Sequence, residues 1–343
     1  MLTRMEQSLK LARNYCAVQE EVSYVYHRYI KTLYADKQAY LLTKTQRVEN
    51  RPPSVERLLE SIDAQDMVAP FEKAVLEAKG FEAQGEFVIT RIGKRKKRKT
   101  PPQYRFALMQ NFLRVVSCAY SKQYPHLSEL FIGDKPFITS TWERYGSKVT
   151  VHGKQASFLM SKKPLSRIFD HSTVEESAKV QLESMHPNPP FFDLAETEEA
   201  LPQTYLSGFT GSPPFPHLHT MVLVDLYSWP AEQIIQKALL YLFTHLVTDL
   251  TERQGKRFGD ILETPVPAQA IIACGKRFHF IWYQLNTLDL ENDDGIKNLV
   301  YIDSPGWMYK KILSDKKTDT KSLTNMKEKP VKLFMAQLFA KPE

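Results

Sequence analysis

At 343 residues, 43% hydrophobic and 25% charged, the chain is long enough to bury a sizeable core and has the composition of an ordinary globular protein. Its 13 glycines against 21 prolines argue against a nucleotide-binding α/β enzyme built on glycine-rich phosphate loops. The net charge of +7 is unevenly spread: residues 91–105 carry eight bases and no acid, residues 170–199 eight acids and one lysine. That polarity suits a protein set between an anionic partner and other proteins or solvent.

Cys16, Cys118 and Cys274 are far apart and odd in number, which fits neither a disulfide framework nor a metal ribbon and points to a reducing compartment. No run of eighteen apolar residues is present, so no membrane span is expected. Residues 1–17 set Arg4, Lys10 and Arg13 against Leu2, Met5, Leu9 and Ala12 at helical spacing. This suits a matrix-targeting presequence, against which Glu6 counts, or an ordinary surface helix. Residues 18–45 interleave Tyr24, Tyr26, Tyr29, Tyr34 and Tyr40 with cations that include Arg28, Lys31 and Lys44. Aromatics among cations are what stacking on unpaired RNA bases with phosphate contact requires. The competing reading is a helix with its tyrosines packed inward and its lysines solvated.

After the break at Arg51-Pro52-Pro53, a short helix over residues 54–62 is expected with Ser54 as its cap, and another over 71–79. Residues 93–102, Gly-Lys-Arg-Lys-Lys-Arg-Lys-Thr-Pro-Pro, form the one low-complexity stretch. Lys94, Arg95, Lys96, Lys97, Arg98 and Lys99 repel one another and cannot enter a core, so an exposed loop is expected. It reads as an RNA-backbone contact that releases counterions, as a merely solvated loop, or as a nuclear import signal. Phe106, Met109, Phe112, Leu113, Val116 and Tyr120 recur at three- and four-residue steps, predicting a helix over 104–120. Residues 131–152 read as β structure turning at Tyr145-Gly146-Ser147. Ser172 and Glu175 then resemble a capping box that opens a helix to Met185.

Residues 213–216 favour an extended path into a strand over 217–224. His217 and His219 sit two apart on it, the spacing of two metal ligands, with Asp225, His279 or Cys274 as remote third candidates. They support one enzymatic alternative, a metal-dependent hydrolase or RNA-modifying enzyme centred on His217 and His219. No His-Glu-x-x-His, Cys-x-x-Cys or paired-carboxylate pattern accompanies them. No catalytic residue, metal, cofactor or small-molecule substrate is therefore expected. Trp229-Pro230 opens the longest helix, about 25 residues, with Ile235, Leu239, Leu242, Leu246 and Leu250 as its apolar stripe and Gly255 as its C-cap.

The chain is organised around residues 265–303. Two β-prone runs, 270–273 and 277–285, are joined by Cys274-Gly275-Lys276, and a third follows over 296–303. In the middle run Phe278, Phe280, Trp282 and Gln284 share one face, and His279, Ile281, Tyr283 and Leu285 the other. Both faces are apolar, so a strand covered on both sides is predicted, with Trp282 under the long helix. The fold class is α+β: a mainly helical amino-terminal half, then an antiparallel sheet covered by a long helix. Four segments are expected: 1–53 helical or extended, 54–205 mixed helical with the loop 93–102, 206–310 the helix-covered sheet, and 311–343 a basic tail ending in a helix.

Residues 275–290, with Phe280 and then Tyr283-Gln284-Leu285-Asn286-Thr287, followed by Gly295-Ile296-Lys297-Asn298-Leu299 and Ile302-Asp303-Ser304, resemble the mitochondrial large-subunit ribosomal protein thirty-seven family. Leu41-Leu42-Thr43-Lys44-Thr45, residues 190–194, and residues 208–225 with Pro214-Phe215-Pro216-His217 agree in the same order. The resemblance implies a structural constituent of the large ribosomal subunit in the mitochondrial matrix, supporting translation without chemistry. It also implies contact with ribosomal RNA and with other mitochondrial ribosomal proteins, notably the paralogous protein thirty. The family does not generally carry so dense a basic run as residues 94–99.

Overall fold

The computed structural model describes residues 23–25, 34–83, 87–90, 93–96, 101–154, 156–182, 195–197, 205–209, 213–225, 229–314 and 321–343. In chain order the elements are β1 (Ser23–Val25), α1 (Ala35–Leu42), β2 (Thr45–Arg47), α2 (Pro53–Glu60), α3 (Gln65–Ala83), β3 (Phe87–Thr90), β4 (Gly93–Lys96), α4 (Pro101–Tyr120), α5 (His126–Glu129) and β5 (Phe131–Gly133). They continue with β6 (Ile138–Arg144), β7 (Ser147–Gly153), β8 (Ala156–Ser161), α6 (His171–Ser177), β9 (Ala195–Thr197), β10 (His217–Val224) and α7 (Ala231–Gln254). The last are β11 (Ile261–Cys274), β12 (Arg277–Thr287), β13 (Asn298–Trp307), β14 (Lys311–Ser314), β15 (Lys321–Thr324) and α8 (Glu328–Phe339). The α+β class is as expected.

The centre is a seven-stranded sheet ordered β2-β13-β12-β11-β10-β8-β5. Strands β11, β12 and β13 pair antiparallel as the sequence predicts, with Trp282 opposite Gln269 and Tyr301. The sheet as a whole is nevertheless mixed. Strand β10 runs parallel to β11, across the long α7 crossover, and the three-residue β2 runs parallel to β13. A second sheet, β6-β7-β1-β9, stands apart. Its β6–β7 hairpin turns at Tyr145 and Gly146, both at positive φ, as a two-residue turn matched to strand twist requires.

Alternation along the strands sorts the side chains into two cores. Met221, Leu223, Ala270, Ile272, Ile281, Tyr283 and Leu285 share one with α7 and with Trp142, Val149 and Val151 of the second sheet. Val222, Val224, Ile271, Phe278, Phe280 and Trp282 share the other with α2, α3, α4 and α8. The molecule is thus layered: helices, large sheet, α7, small sheet. Helix α7 is buried from Gln233 through Thr248, on every face and not along one stripe, because a sheet lies on each side of it. Gly255 closes it at φ 65°, the left-handed cap expected. At Gly153 the Tyr241 hydroxyl of α7 comes so close to the backbone that a Cβ would not fit.

Several local expectations are corrected. Trp282 is 2% exposed, so the strand is as deeply buried as predicted, but it packs in the core shared with α8, on the face away from α7. The helix expected from Ser172 is the short α6, and Asp170 caps it, accepting from Thr173 N at 2.9 Å. Those three hydrogen-bond donors, Thr173 N, Thr173 Oγ1 and Ser172 Oγ, also hold the Asp170 carboxyl below its usual pKa range. Ser54 does not cap α2, which begins at Pro53; its hydroxyl donates to Ile168 O at 2.7 Å. Part of the basic segment 93–102 is not a loop: Gly93–Lys96 is strand β4, paired antiparallel with β3, and α4 already begins at Pro101.

Candidate nucleic-acid interface

Of the candidate RNA-contact cations, Lys94, Arg95 and Lys96 lie on β4, opposite Ile89, Val88 and Phe87. Arg28, Lys31, Lys97, Arg98 and Lys99 lie outside the described residues.

Lys44 departs from expectation. It is 1% exposed, at φ 47° in the turn between α1 and β2, and its ammonium donates to Asp289 Oδ2 at 3.4 Å. A buried, paired cation has no free face for a phosphate, so Lys44 belongs to the interior. Its carbonyl accepts from Asn298 N at 2.9 Å, which ties the α1–β2 turn to the start of β13.

That tie is part of a network built by the very residues that carry the family resemblance. Gln284 Oε1 accepts from Ile168 N and Phe169 N, both at 3.0 Å, while Gln284 Nε2 donates to Asn286 Oδ1 at 2.9 Å. Asn286 Nδ2 donates to Lys297 O at 2.9 Å. Asn298 Oδ1 accepts from Asn286 N and Thr287 N, and Asn298 Nδ2 donates to Thr43 O at 2.9 Å. Thr43 and Thr45 share a 2.7 Å hydroxyl contact, and Thr45 meets Tyr283 Oη at 3.2 Å. Gln284, Asn286, Thr43, Thr45 and Asn298 are all buried. Buried polar groups persist only when paired, and here the pairing is reciprocal. Gln284 and Asn286 serve the backbone groups they were expected to serve; that Thr43 and Thr45 complete the set could have been read only from their joint buried placement.

The histidine pair does not assemble as metal ligands. A bulge between Leu218 and Thr220 interrupts the strand's two-residue period at His219. His219 is fully buried and both ring nitrogens are engaged: Nε2 donates to Ala340 O at 2.9 Å, and Nδ1 accepts from Thr220 Oγ1 at 2.8 Å. Thr220 Oγ1 in turn accepts from Gln269 Nε2 at 2.9 Å, which fixes this order of donation. Burial, opposed by the Ala340 carbonyl and assisted by His126, lowers the His219 pKa to about 4, so the ring is neutral. His126 stands 5.8 Å from it, ring to ring, and bonds Leu338 O at 2.9 Å. Gln269 also donates to Gln337 O. Side chains of the sheet and of α5 thus satisfy the carbonyls that a helix leaves unpaired at its carboxyl end. His219 is a structural cap of α8.

Asp225 lies six residues beyond His219 at the other end of β10, roughly 20 Å away at strand rise. It accepts from Trp229 N at 3.0 Å and pairs with Arg105, anchoring the entry to α7. No group of three His, Cys, Asp or Glu side chains that could hold a metal ion occurs among the described residues. No helix among them is long and apolar enough to cross a membrane. Cys118 and Cys274 are free thiols, and burial pushes Cys274 up to about 12.

Comparisons with known proteins place this architecture. The family described as "Mitochondrial 28S ribosomal protein S30 (PDCD9)" matches residues 237–342, which run from α7 through β11, β12 and β13 to α8. The chain is 27% identical over 304 residues to "Large ribosomal subunit protein mL37" of Bos taurus, covering 84% of this chain and 67% of that protein. It is 28% identical over 297 residues to the protein of that name from Rattus norvegicus, with the same coverage. With the Gallus gallus protein it shares 26% identity over 297 residues, covering 84% of this chain and 66% of the relative.

Proposed function

The chain belongs to the mL37 family of mitochondrial ribosomal proteins, and from that premise we propose that it is a structural constituent of the large subunit of the mitochondrial ribosome. It resides in the matrix and supports organellar translation without catalysing a reaction. The observation that carries this reading is the place of the matched segment: residues 237–342 build the centre of both cores. The Gln-Leu-Asn-Thr and Leu-Leu-Thr-Lys-Thr motifs lock that centre internally. What these proteins have in common is therefore a framework, and the chemistry-bearing histidine is used to hold a helix end.

The finer contacts are part of the proposal. Lys94, Arg95, Lys96, Lys97, Arg98 and Lys99 reach ribosomal RNA from the β3–β4 hairpin, with Arg28 and Lys31 as further contacts. The paralogous protein thirty is the neighbouring chain; the match to the S30 family across α7–α8 supports a pair built on a common module. The experiment is sedimentation of the tagged chain from a mitochondrial lysate. Co-migration with the large subunit is the result expected, and a chain confined to the top of the gradient refutes the reading.

A further inference from the structure

Between α2, residues 165–168 and the carboxyl end of α8 lies a pocket of about 590 Å³ that none of the contacts above explains. Its rim carries Arg57, Arg167 and Lys341, and no acidic residue lines it. All three cations are exposed, and none forms an ion pair among the described residues. Arg57 Nε donates to Pro53 O at 3.3 Å, which orients its guanidinium and leaves the outer nitrogens for a ligand.

The floor is different in kind. Phe339 stacks on Tyr124 with ring centroids 4.0 Å apart and planes 12° from parallel. Beside them Trp282 lines the pocket while being only 2% exposed. Its indole Nε1–H donates to no atom among the described residues, whereas Trp142 in the other core donates to Leu42 O at 2.8 Å. A buried donor without an acceptor is unusual and costs about 1–3 kcal/mol. An aromatic floor holding one unused donor, under a rim of three cations, calls for a ligand with a flat ring, an acceptor on its edge, and negative charge at one end. Inorganic phosphate leaves the floor unused, and an aliphatic carboxylate leaves the donor and the ring faces unused. A nucleotide uses all three, and the volume falls in the range of ligand pockets.

We propose that this pocket receives one unpaired nucleotide of a single-stranded RNA, the base on the Phe339–Trp282 floor and the phosphates at Arg57, Arg167 and Lys341. The proposal rests on the ribosomal reading above and gives that reading a second, base-accepting contact, separate from the β3–β4 hairpin. Flipped-out bases laid on aromatic side chains are the usual way proteins read single-stranded RNA.

The test uses the full chain with Lys94 through Lys99 changed to glutamine, so that the hairpin is silent. Binding of a fluorescein-labelled adenosine hexanucleotide is followed by anisotropy across a salt series, with AMP, inorganic phosphate and hexaglutamate as competitors. Arg57→Gln, Arg167→Gln and Lys341→Gln together should weaken binding tenfold or more and flatten the salt slope by about 0.7 for each phosphate released. Trp282→Phe keeps the ring and removes the N–H; it should weaken binding severalfold while the cooperative melt is retained. An unchanged affinity and slope in the triple variant overturns the proposal. So does hexaglutamate competing as well as RNA, which would assign the pocket to an acidic peptide. AMP binding as tightly as the hexanucleotide would overturn the RNA source in favour of a free nucleotide. Sedimentation separates the two levels. A parent chain absent from the large subunit, yet losing RNA binding in the triple variant, overturns the ribosomal reading and supports the pocket.

Discussion

Gln284→Leu isolates the buried network, because leucine nearly matches glutamine in volume and makes the packing change small. Gln284 is 0% exposed and makes three hydrogen bonds, two from the Ile168 and Phe169 amides and one to Asn286. The substitution leaves two backbone donors and one amide oxygen without partners. At about 1–3 kcal/mol for each orphaned group the loss would be roughly 3–9 kcal/mol. Ile168 also borders the pocket, so water can reach one of the amides, and the lower end, about 3–5 kcal/mol, is expected. That is a large share of the 5–15 kcal/mol available to a typical fold. Urea titration should show the midpoint falling at an unchanged m value, and amide exchange at Ile168 and Phe169 should accelerate more than in the rest of the sheet. A loss under about 1 kcal/mol, with both amides still protected, would refute the assigned role.

Trp282→Ala should cost about 3–5 kcal/mol, read from the same titration, since it empties the core between β12 and α8; a near-neutral result would contradict its burial. His219 and His245 are both fully buried with pKa values lowered to about 4, chiefly by burial. Each stabilises fully above pH 6.5 and loses that contribution, about 3 kcal/mol, as pH falls toward 4. Asp249, raised to about 6 by burial, works in the opposite direction over nearly the same window. Melts should therefore show a net loss of about 4 kcal/mol between pH 6.5 and 4, and His245→Gln should shrink the pH dependence by about half or more. Replacing Lys94 through Lys99 with glutamine should flatten the salt dependence of ribosomal RNA binding by a few units, at about 0.7–0.9 per phosphate, and leave the fold and sedimentation largely intact. An unchanged slope would make the run merely solvated.

How much the sequence discloses depends on whether a signal is local. The alternation in residues 277–287 marks a doubly covered strand, and Gly255 marks a helix end, because both are written within a few residues. Which layer covers which face of β12 is not local. Phe278, Phe280 and Trp282 are as apolar as Ile281, Tyr283 and Leu285, so nothing in the run chooses between α7 and α8. Helix α7 reads as amphipathic because Gln233, Gln236, Lys237, Thr244 and His245 are polar, yet a second sheet buries them all. Lys44 looks like a surface cation because its partner, Asp289, is 245 residues away. The histidine pair kept its metal-like spacing on paper only until a one-residue bulge removed the two-residue period. The Asp170 cap was missed by two positions, since Asp and Ser are both good caps and the short stretch offers each.

The enclosure of α7 between two sheets has a consequence for synthesis. Strands β6 and β7 leave the peptide tunnel before α7, and β11, β12 and β13 only after it. The nascent small sheet therefore presents Trp142, Val149 and Val151 to solvent until the helix arrives, and the helix then waits with its opposite face bare until the large sheet closes over it. Chains stalled between residues 254 and 261 should bind a hydrophobic-surface chaperone strongly in a pull-down from a translation extract, and completed chains should not. In the finished protein the α7 amides can reach water only when a whole layer lifts, so their exchange should track global unfolding; faster, independent exchange along α7 would show that the layers part separately.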